Sequence, residues 1–265
     1  MSREGKIQEA FEAAAAEGRA ALVVYATAGC PDREQGLDAL IALADAGADV
    51  IELGVPFSDP LADGPTIQRA SFAAIEDGVD LEWTLDLLAR FRERRQTPVV
   101  VFSYLNPILD HGVDAFLEDA ARAGADGLLL TDLPLDADPE LEARLEASPL
   151  DLVRLIAPTT TPERARAIAA RSQGFVYYIS RTGVTGVRQD VAAGLADEVA
   201  ALRRAAALPV AVGFGISTPA QAAQVAAAAS GVVVGSAVVD SLATRGVSAA
   251  ADLVRQLREA LAGNP

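Results

Sequence analysis

Short, unbroken runs of apolar and mostly β-branched residues recur along the chain, separated by longer stretches with helical periodicity. The apolar runs read ALVVYATAG, ADVIELGVPF, TPVVVFSYLNP, ADGLLLTDLP, LVRLIAPT, GFVYYIS, LPVAVGFG and SGVVVGSA. Each is strand-length and continuous rather than alternating, the pattern of parallel strands covered on both faces. Between them GLDALIALADAGA, LEWTLDLLARFRERR, GVDAFLEDAARAGA, TPERARAIAARS, LADEVAALRRAAA, TPAQAAQVAAAAS and AADLVRQLREALA read as helices, with PELEARLEASP a shorter one. Thr161-Pro162-Glu163 and Thr218-Pro219 set a capping hydroxyl before a proline at the first helical position. Gly47 and Gly124 close helices. Strands and helices alternating in this way predict a closed (β/α)8 TIM barrel. The pattern adds a helix over about residues 6–17, ahead of the first strand, and an inserted helix in PTIQRASFAAIEDG after the second. No linker or low-complexity tract divides the chain, so residues 1–265 read as a single (β/α)8 barrel domain.

Composition narrows the partners. The net charge of −15 argues against nucleic acid and anionic membrane. Cys30 is the sole cysteine, which excludes an intrachain disulfide and fits a reducing compartment. The charged, helical N-terminus has no apolar signal core, and no apolar run is long enough for a membrane helix. A cytoplasmic enzyme is the expectation.

Barrel chemistry sits at the C-terminal ends of the strands. Within VIELGV, alternation turns Ile51 and Leu53 toward the helices and Glu52 into the barrel with Val50 and Gly54. A carboxyl in that position is driven toward its neutral form and suits acid/base work. A buried Arg or Tyr partner would instead make Glu52 structural. The long loop PFSDPLADGPTIQ carries Asp59 and Asp63. Asp59 before Pro60 reads as a turn residue. Asp63 would supply the second carboxylate of an acid/base pair, or only a turn with Gly64. Three glycine-containing loops, SRTGVTG, GFGIST and GSA, follow the sixth, seventh and eighth strands. Glycines that expose backbone N–H groups, and a helix start beside them, form a phosphate site. RTGVTG reads also as a hinged lid.

Other chemistry lacks its residues. Lys6, the only lysine, precedes the first strand, so no Schiff-base lysine reaches the mouth. His111 is the only histidine, and Cys30 has no histidine partner in its surroundings in sequence. What is left is carboxylate proton transfer on a phosphorylated substrate, without metal or cofactor on this chain. An isomerase barrel would also fit that description.

The segment IELGVPFSDPLADGPTIQ resembles the signature of the tryptophan synthase alpha subunit family. TAGCPD, SYLNP, TDLP, IAPTT, SRTGVTG, VGFGIS and GSAVV resemble that family in the same order, so the likeness runs from the first strand to the eighth. It implies retro-aldol cleavage of indole-3-glycerol phosphate to indole and glyceraldehyde 3-phosphate, with Glu52 and Asp63 as the catalytic carboxylates. It further implies phosphate ligands at Gly186, Gly215, Gly235 and Ser236. The implied indole pocket is Tyr25, Phe102, Tyr104, Leu129 and Tyr177, and the lid holds Gly183 and Thr185, the latter orienting Asp63. The resemblance also implies an alpha2-beta2 assembly, with pyridoxal phosphate on the beta subunit and Pro56 and the loop after Asn106-Pro107 facing that partner. Two positions depart from the family's pattern: Tyr25 stands where Phe is frequent, and Thr131 where Pro is usual. A stand-alone lyase and a non-catalytic interaction subunit remain open beside the two-subunit enzyme.

Overall fold

A computed structural model describes residues 5–157, 159–179, 189–213 and 215–262, with backbone only over 189–194. Eight parallel strands close into a barrel in chain order, β8 pairing back onto β1. They are β1 (Ala21–Thr27), β2 (Val50–Gly54), β3 (Val99–Ser103), β4 (Gly127–Leu130), β5 (Asp151–Ile156), β6 (Val176–Ile179), β7 (Val210–Gly213) and β8 (Gly231–Val234). The helices are α1 (Lys6–Ala16), α2 (Gly36–Asp45), α3 (Pro65–Glu76), α4 (Leu81–Arg92), α5 (Leu105–His111), α6 (Val113–Ala123) and α7 (Pro139–Ala147). They continue with α8 (Pro162–Ala170), α9 (Gln189–Ala206), α10 (Pro219–Ala226), α11 (Ser236–Arg245) and α12 (Val247–Leu261). The closed barrel, the N-terminal helix and the helix inserted after the second strand are as the sequence predicts. Among the described residues no helix is long and apolar enough to cross a membrane.

The parity of each strand sorts its side chains between two cores. Ile51 and Leu53 pack outward with the helices. Val23, Val50, Val100, Leu129, Val153, Phe175, Ala211 and Val233 fill the interior. α1 closes one end of that interior. Its Ile7, Phe11 and Ala14 join the inner cluster, and the Phe11 and Phe175 rings lie 5.4 Å apart. Gly231 at the start of β8 makes room for the plug, since a Cβ there would stand 2.6 Å from Phe11 Cε1. Full burial of Ile7 and Phe11 contributes roughly 1.5–3 kcal/mol each.

Two helices exceed the sequence expectation. Asn106-Pro107 lies within α5 rather than before a loop. Pro107 is the third residue of that helix, where its missing N–H leaves no intrahelical bond unmade. The GSA segment is not only a turn: α11 opens at Ser236 directly after Gly235. Pro56, expected on the partner-facing surface, is buried in this chain.

Candidate active site

Glu52 occupies the middle of β2, in register with Tyr25 on β1 and Val100 on β3. It points into the barrel and is 1% exposed. Among the described residues Oε1 has no hydrogen-bond partner. Burial pushes its carboxyl up to about 8, so it holds a proton at neutral pH. Among the described residues the two buried arginines, Arg19 and Arg154, are engaged elsewhere. Arg19 forms a two-pronged pair with Asp49 at 2.6 and 2.7 Å. Arg154 faces outward from β5 to Glu142 at 3.0 Å and Glu146 at 2.7 Å.

Asp63 sits in the loop between β2 and α3. Its Oδ2 accepts a hydrogen bond of 3.0 Å from the Tyr104 hydroxyl, which itself accepts one of 2.9 Å from the Ala62 N–H. The first turn of α3 steadies the same loop, because Gln68 Nε2 donates to the Asp63 carbonyl at 3.0 Å. Burial raises the Asp63 carboxyl above its ordinary range, and the Tyr104 hydrogen bond opposes that rise. The two carboxylates therefore differ: Glu52 has only desolvation acting on it, while Asp63 has a donor favouring its charged form. Asp59 is exposed and bonds to Ser58, in keeping with a turn.

Glu52 and Asp63 line one cavity of about 330 Å³ at the barrel mouth. Tyr25, Phe102 and Tyr177 form its aromatic walls, with Tyr25 and Phe102 edge to face at 5.2 Å and 79°. Two glycines admit the tyrosines: a Cβ on Gly54 would collide with the Tyr25 hydroxyl, and one on Gly213 with that of Tyr177. Two residues expected in the pocket lie elsewhere. Leu129 is wholly buried in the inner core and is not on the cavity wall. Tyr104 stands behind the wall and reaches the site through Asp63. Leu155, Ile179 and Val233 do line the cavity and were not singled out from the sequence, although inward parity marks Leu155 and Val233 as it marks Glu52. Ile67 lines it as well, from the first turn of α3, a placement no strand pattern reports.

Gly215, Gly235 and Ser236 form another part of the same wall. Gly215 has φ +72°, a left-handed conformation that favours glycine. The two neighbouring helix starts are unequal. α10 is closed by its own capping box between Thr218 and Gln221. α11 starts at Gly235 with no side-chain cap, and Gly235, Ser236 and Ala237 line the cavity. Gly183, Thr185 and Gly186 lie outside the described residues.

None of the residues set aside lines this cavity. Lys6 is 3.7 Å from Asp126 at the opposite end of the barrel. His111 ends α5 and contacts Asp119 at 2.9 Å. Cys30 is buried, and burial pushes its thiol up to about 11, away from the reactive thiolate.

Fold and mouth together define a (β/α)8 barrel with a buried carboxyl and an uncapped helix start on the wall of one cavity. The family profile of the tryptophan synthase alpha chain matches residues 11–262. A tryptophan synthase alpha chain of Caulobacter sp. (strain K31) is 51% identical over 238 residues, 89% of this chain and 86% of the relative. One from Synechococcus elongatus is 46% identical over 260 residues, 98% of each chain. The open form of tryptophan synthase from M. tuberculosis superposes with a TM-score of 0.88 at 38% identity, covering 97% of this chain and 99% of that one. The alpha subunit from Legionella pneumophila gives 0.88 at 34% identity, covering 98% and 99%. The chain belongs to the tryptophan synthase alpha chain family. The reaction of that family is the retro-aldol cleavage of indole-3-glycerol phosphate, and the chain is a carbon–carbon lyase of tryptophan biosynthesis.

Proposed function

We propose that Glu52 and Asp63 divide the chemistry of indole release between them. The observation that carries this reading is a buried Glu52, its Oε1 without a hydrogen-bond partner among the described residues, in the same cavity as a hydrogen-bonded Asp63. Glu52 donates its proton to indole C3. The positive charge that develops on the ring nitrogen is met by the Asp63 carboxylate, which accepts the N–H. Glu52, now ionised, takes the proton from the hydroxyl on the carbon attached to the ring. The C–C electron pair returns to the ring as that hydroxyl becomes the aldehyde, leaving indole, glyceraldehyde 3-phosphate and a reprotonated Glu52. Tyr25, Phe102 and Tyr177 hold the ring. Gly215, Gly235 and Ser236, with Gly186, hold the phosphate, and the α11 start supplies the dipole. Gly183 and Thr185 belong to a lid over the site.

The partner in this reading is a beta subunit in an alpha2-beta2 assembly. It carries the pyridoxal phosphate and consumes the indole. The two most exposed large apolar side chains among the described residues, Leu61, 92% exposed in the loop after β2, and Leu109, 52% exposed on α5, would meet it. Purified chain, alone and with a beta subunit, should release indole from indole-3-glycerol phosphate, with strong stimulation by the partner. No indole under either condition overturns the reading, and high turnover that the partner does not change makes the chain a stand-alone lyase.

A further inference from the structure

The loop that carries Asp63 is gripped from α3 as well as by Tyr104. Pro60 is buried at its start, Asp63 stands at its end, and Leu61 is exposed between them. The loop closes where the Asp63 N–H donates to the Pro60 carbonyl at 3.1 Å. Gln68, half-buried in the first turns of α3, reaches back over this closure. Its Nε2 donates to the Asp63 carbonyl at 3.0 Å and to the Pro60 carbonyl at 3.3 Å. A side-chain amide carries two N–H donors on that nitrogen, so one group spans both ends of the loop.

These bonds do nothing for α3 itself. A helix start leaves N–H groups without partners, and an amide donor cannot satisfy them. α3 starts at Gly64 with no side-chain cap, and the bond from the Gln68 N–H to the Gly64 carbonyl, 3.0 Å, is main chain to main chain. The Gln68 side chain passes beyond that start, onto carbonyls that lie outside the helix. Gly64 and Ile67 line the cavity with Asp63, and Gln68 does not. Any effect of Gln68 on the site therefore passes through the loop. Tyr104 sets the direction of the Asp63 carboxylate, while Gln68 holds the main chain from which that carboxylate projects.

We propose that Gln68 is a positioning residue for indole cleavage, a clasp that locks the 60–63 main chain so that the Asp63 carboxylate stands where the indole N–H arrives. The inference rests on the reading of Asp63 as the group that accepts the N–H.

The test compares indole with benzothiophene, which has the shape of indole without the N–H. Dissociation constants of both are measured by calorimetry on the parent chain, Asp63→Ala, Gln68→Met and Gln68→Glu. Methionine has the reach of glutamine and a similar helix propensity but no donor. Glutamate keeps the shape and, ionised, has acceptors only. The parent should bind indole at least about tenfold more tightly than benzothiophene, as expected of an N–H on a charged acceptor, and Asp63→Ala should erase the difference. Both Gln68 variants should bring the two ligands within about threefold, with benzothiophene affinity changed by less than about twofold. Exchange of the Asp63 amide with solvent should quicken at least about fivefold in these variants, with β2 amides unchanged. An indole preference kept in both Gln68 variants, or an equal loss of both ligands, overturns the proposal. Unchanged exchange at Asp63 overturns it whatever the ligands do. If Asp63→Ala keeps the indole preference, or the parent has none, the reading of Asp63 as acceptor fails, and the exchange rates still decide whether Gln68 holds the loop.

Discussion

Glu52 draws its reactivity from a cost. A carboxyl at about 8 inside the barrel is neutral where an unfolded chain would ionise it, so folding is linked to its proton. Its folded value is raised, so the folded state binds more protons than the unfolded state between the two values. The contribution of Glu52 to stability is therefore intact below the ordinary carboxylate range and declines as pH rises toward about 8. Glu52→Gln stays neutral throughout. Its melting temperature relative to the parent should rise between pH 5 and pH 8 and then level off, while indole release is abolished. A pH-independent difference would mean that Glu52 is already ionised in the folded chain. The same group should give the parent a loss of kcat/KM as pH rises through about 8, because the proposed donor to C3 is the protonated form. Tyr104 acts on the other carboxylate. Tyr104→Phe removes the donor to Asp63 Oδ2 and the acceptor for the Ala62 N–H. The Asp63 carboxyl should then rise further, moving the low-pH limb of kcat/KM upward. A hydrogen bond to a charged group contributes about 1.5–3 kcal/mol, so kcat/KM should drop by about ten- to a hundredfold. A profile that keeps its low-pH limb in this variant would separate Tyr104 from the ionisation of Asp63.

At the scale of elements, among the described residues α1 is the one helix whose apolar face enters the barrel rather than covering it. Phe11→Ala empties a site 4% exposed and bounded by Phe175 and Gly231. It should cost about 3–5 kcal/mol in denaturant unfolding while the mouth, at the other end of the barrel, keeps its affinity for inorganic phosphate. A loss below about 1 kcal/mol would show that α1 is a loosely held lid on the base. The periodicity of α1 was readable in the chain; its burial inside the barrel was not, since an amphipathic stripe does not say which surface it meets. Parity within β2 was enough to turn Glu52 inward, and of the three glycine loops read together, those after β7 and β8 do reach the same cavity wall at Gly215 and Gly235. Depth along the barrel axis was not legible. Leu129 and Phe102 share a register and both face inward, yet only Phe102 reaches the cavity. Strands in a barrel are tilted and staggered, so partners in register stand at different heights. α5 lies where the sequence reads as a loop after Asn106-Pro107, and Pro107 stands in its first turn, where a proline breaks nothing. α11 escaped because its cap position is a bare glycine, the same feature that leaves its N–H groups for an anion.

At the scale of the whole molecule, the exposed leucines and the Asp63 loop belong to one hydrogen-bonded unit. The Tyr104 hydroxyl accepts from Ala62, next to Leu61, and donates to Asp63. Tyr104 also immediately precedes α5, which carries Leu109. The start of α5 is tied in turn to the segment after β4, where the Leu105 N–H donates to Asp132 Oδ1 at 2.8 Å. A partner that presses on Leu61 and Leu109 thus acts on residues bonded directly to the Asp63 loop, which gives stimulation by a beta subunit a short physical route. Leu109→Asp tests that route without altering the cavity. The side chain is half exposed, so unfolding of the isolated chain should shift by no more than about 0.5 kcal/mol. In the complex the new carboxylate would be desolvated without a partner charge, and binding of the beta subunit should weaken by at least about tenfold. Stimulation of indole release should fall with binding and return at saturating beta subunit if Leu109 contributes affinity alone. Stimulation still absent at saturation would assign the coupling to the contact on α5 itself. Parent-like binding and stimulation in the variant would place the docking surface away from this end of the barrel.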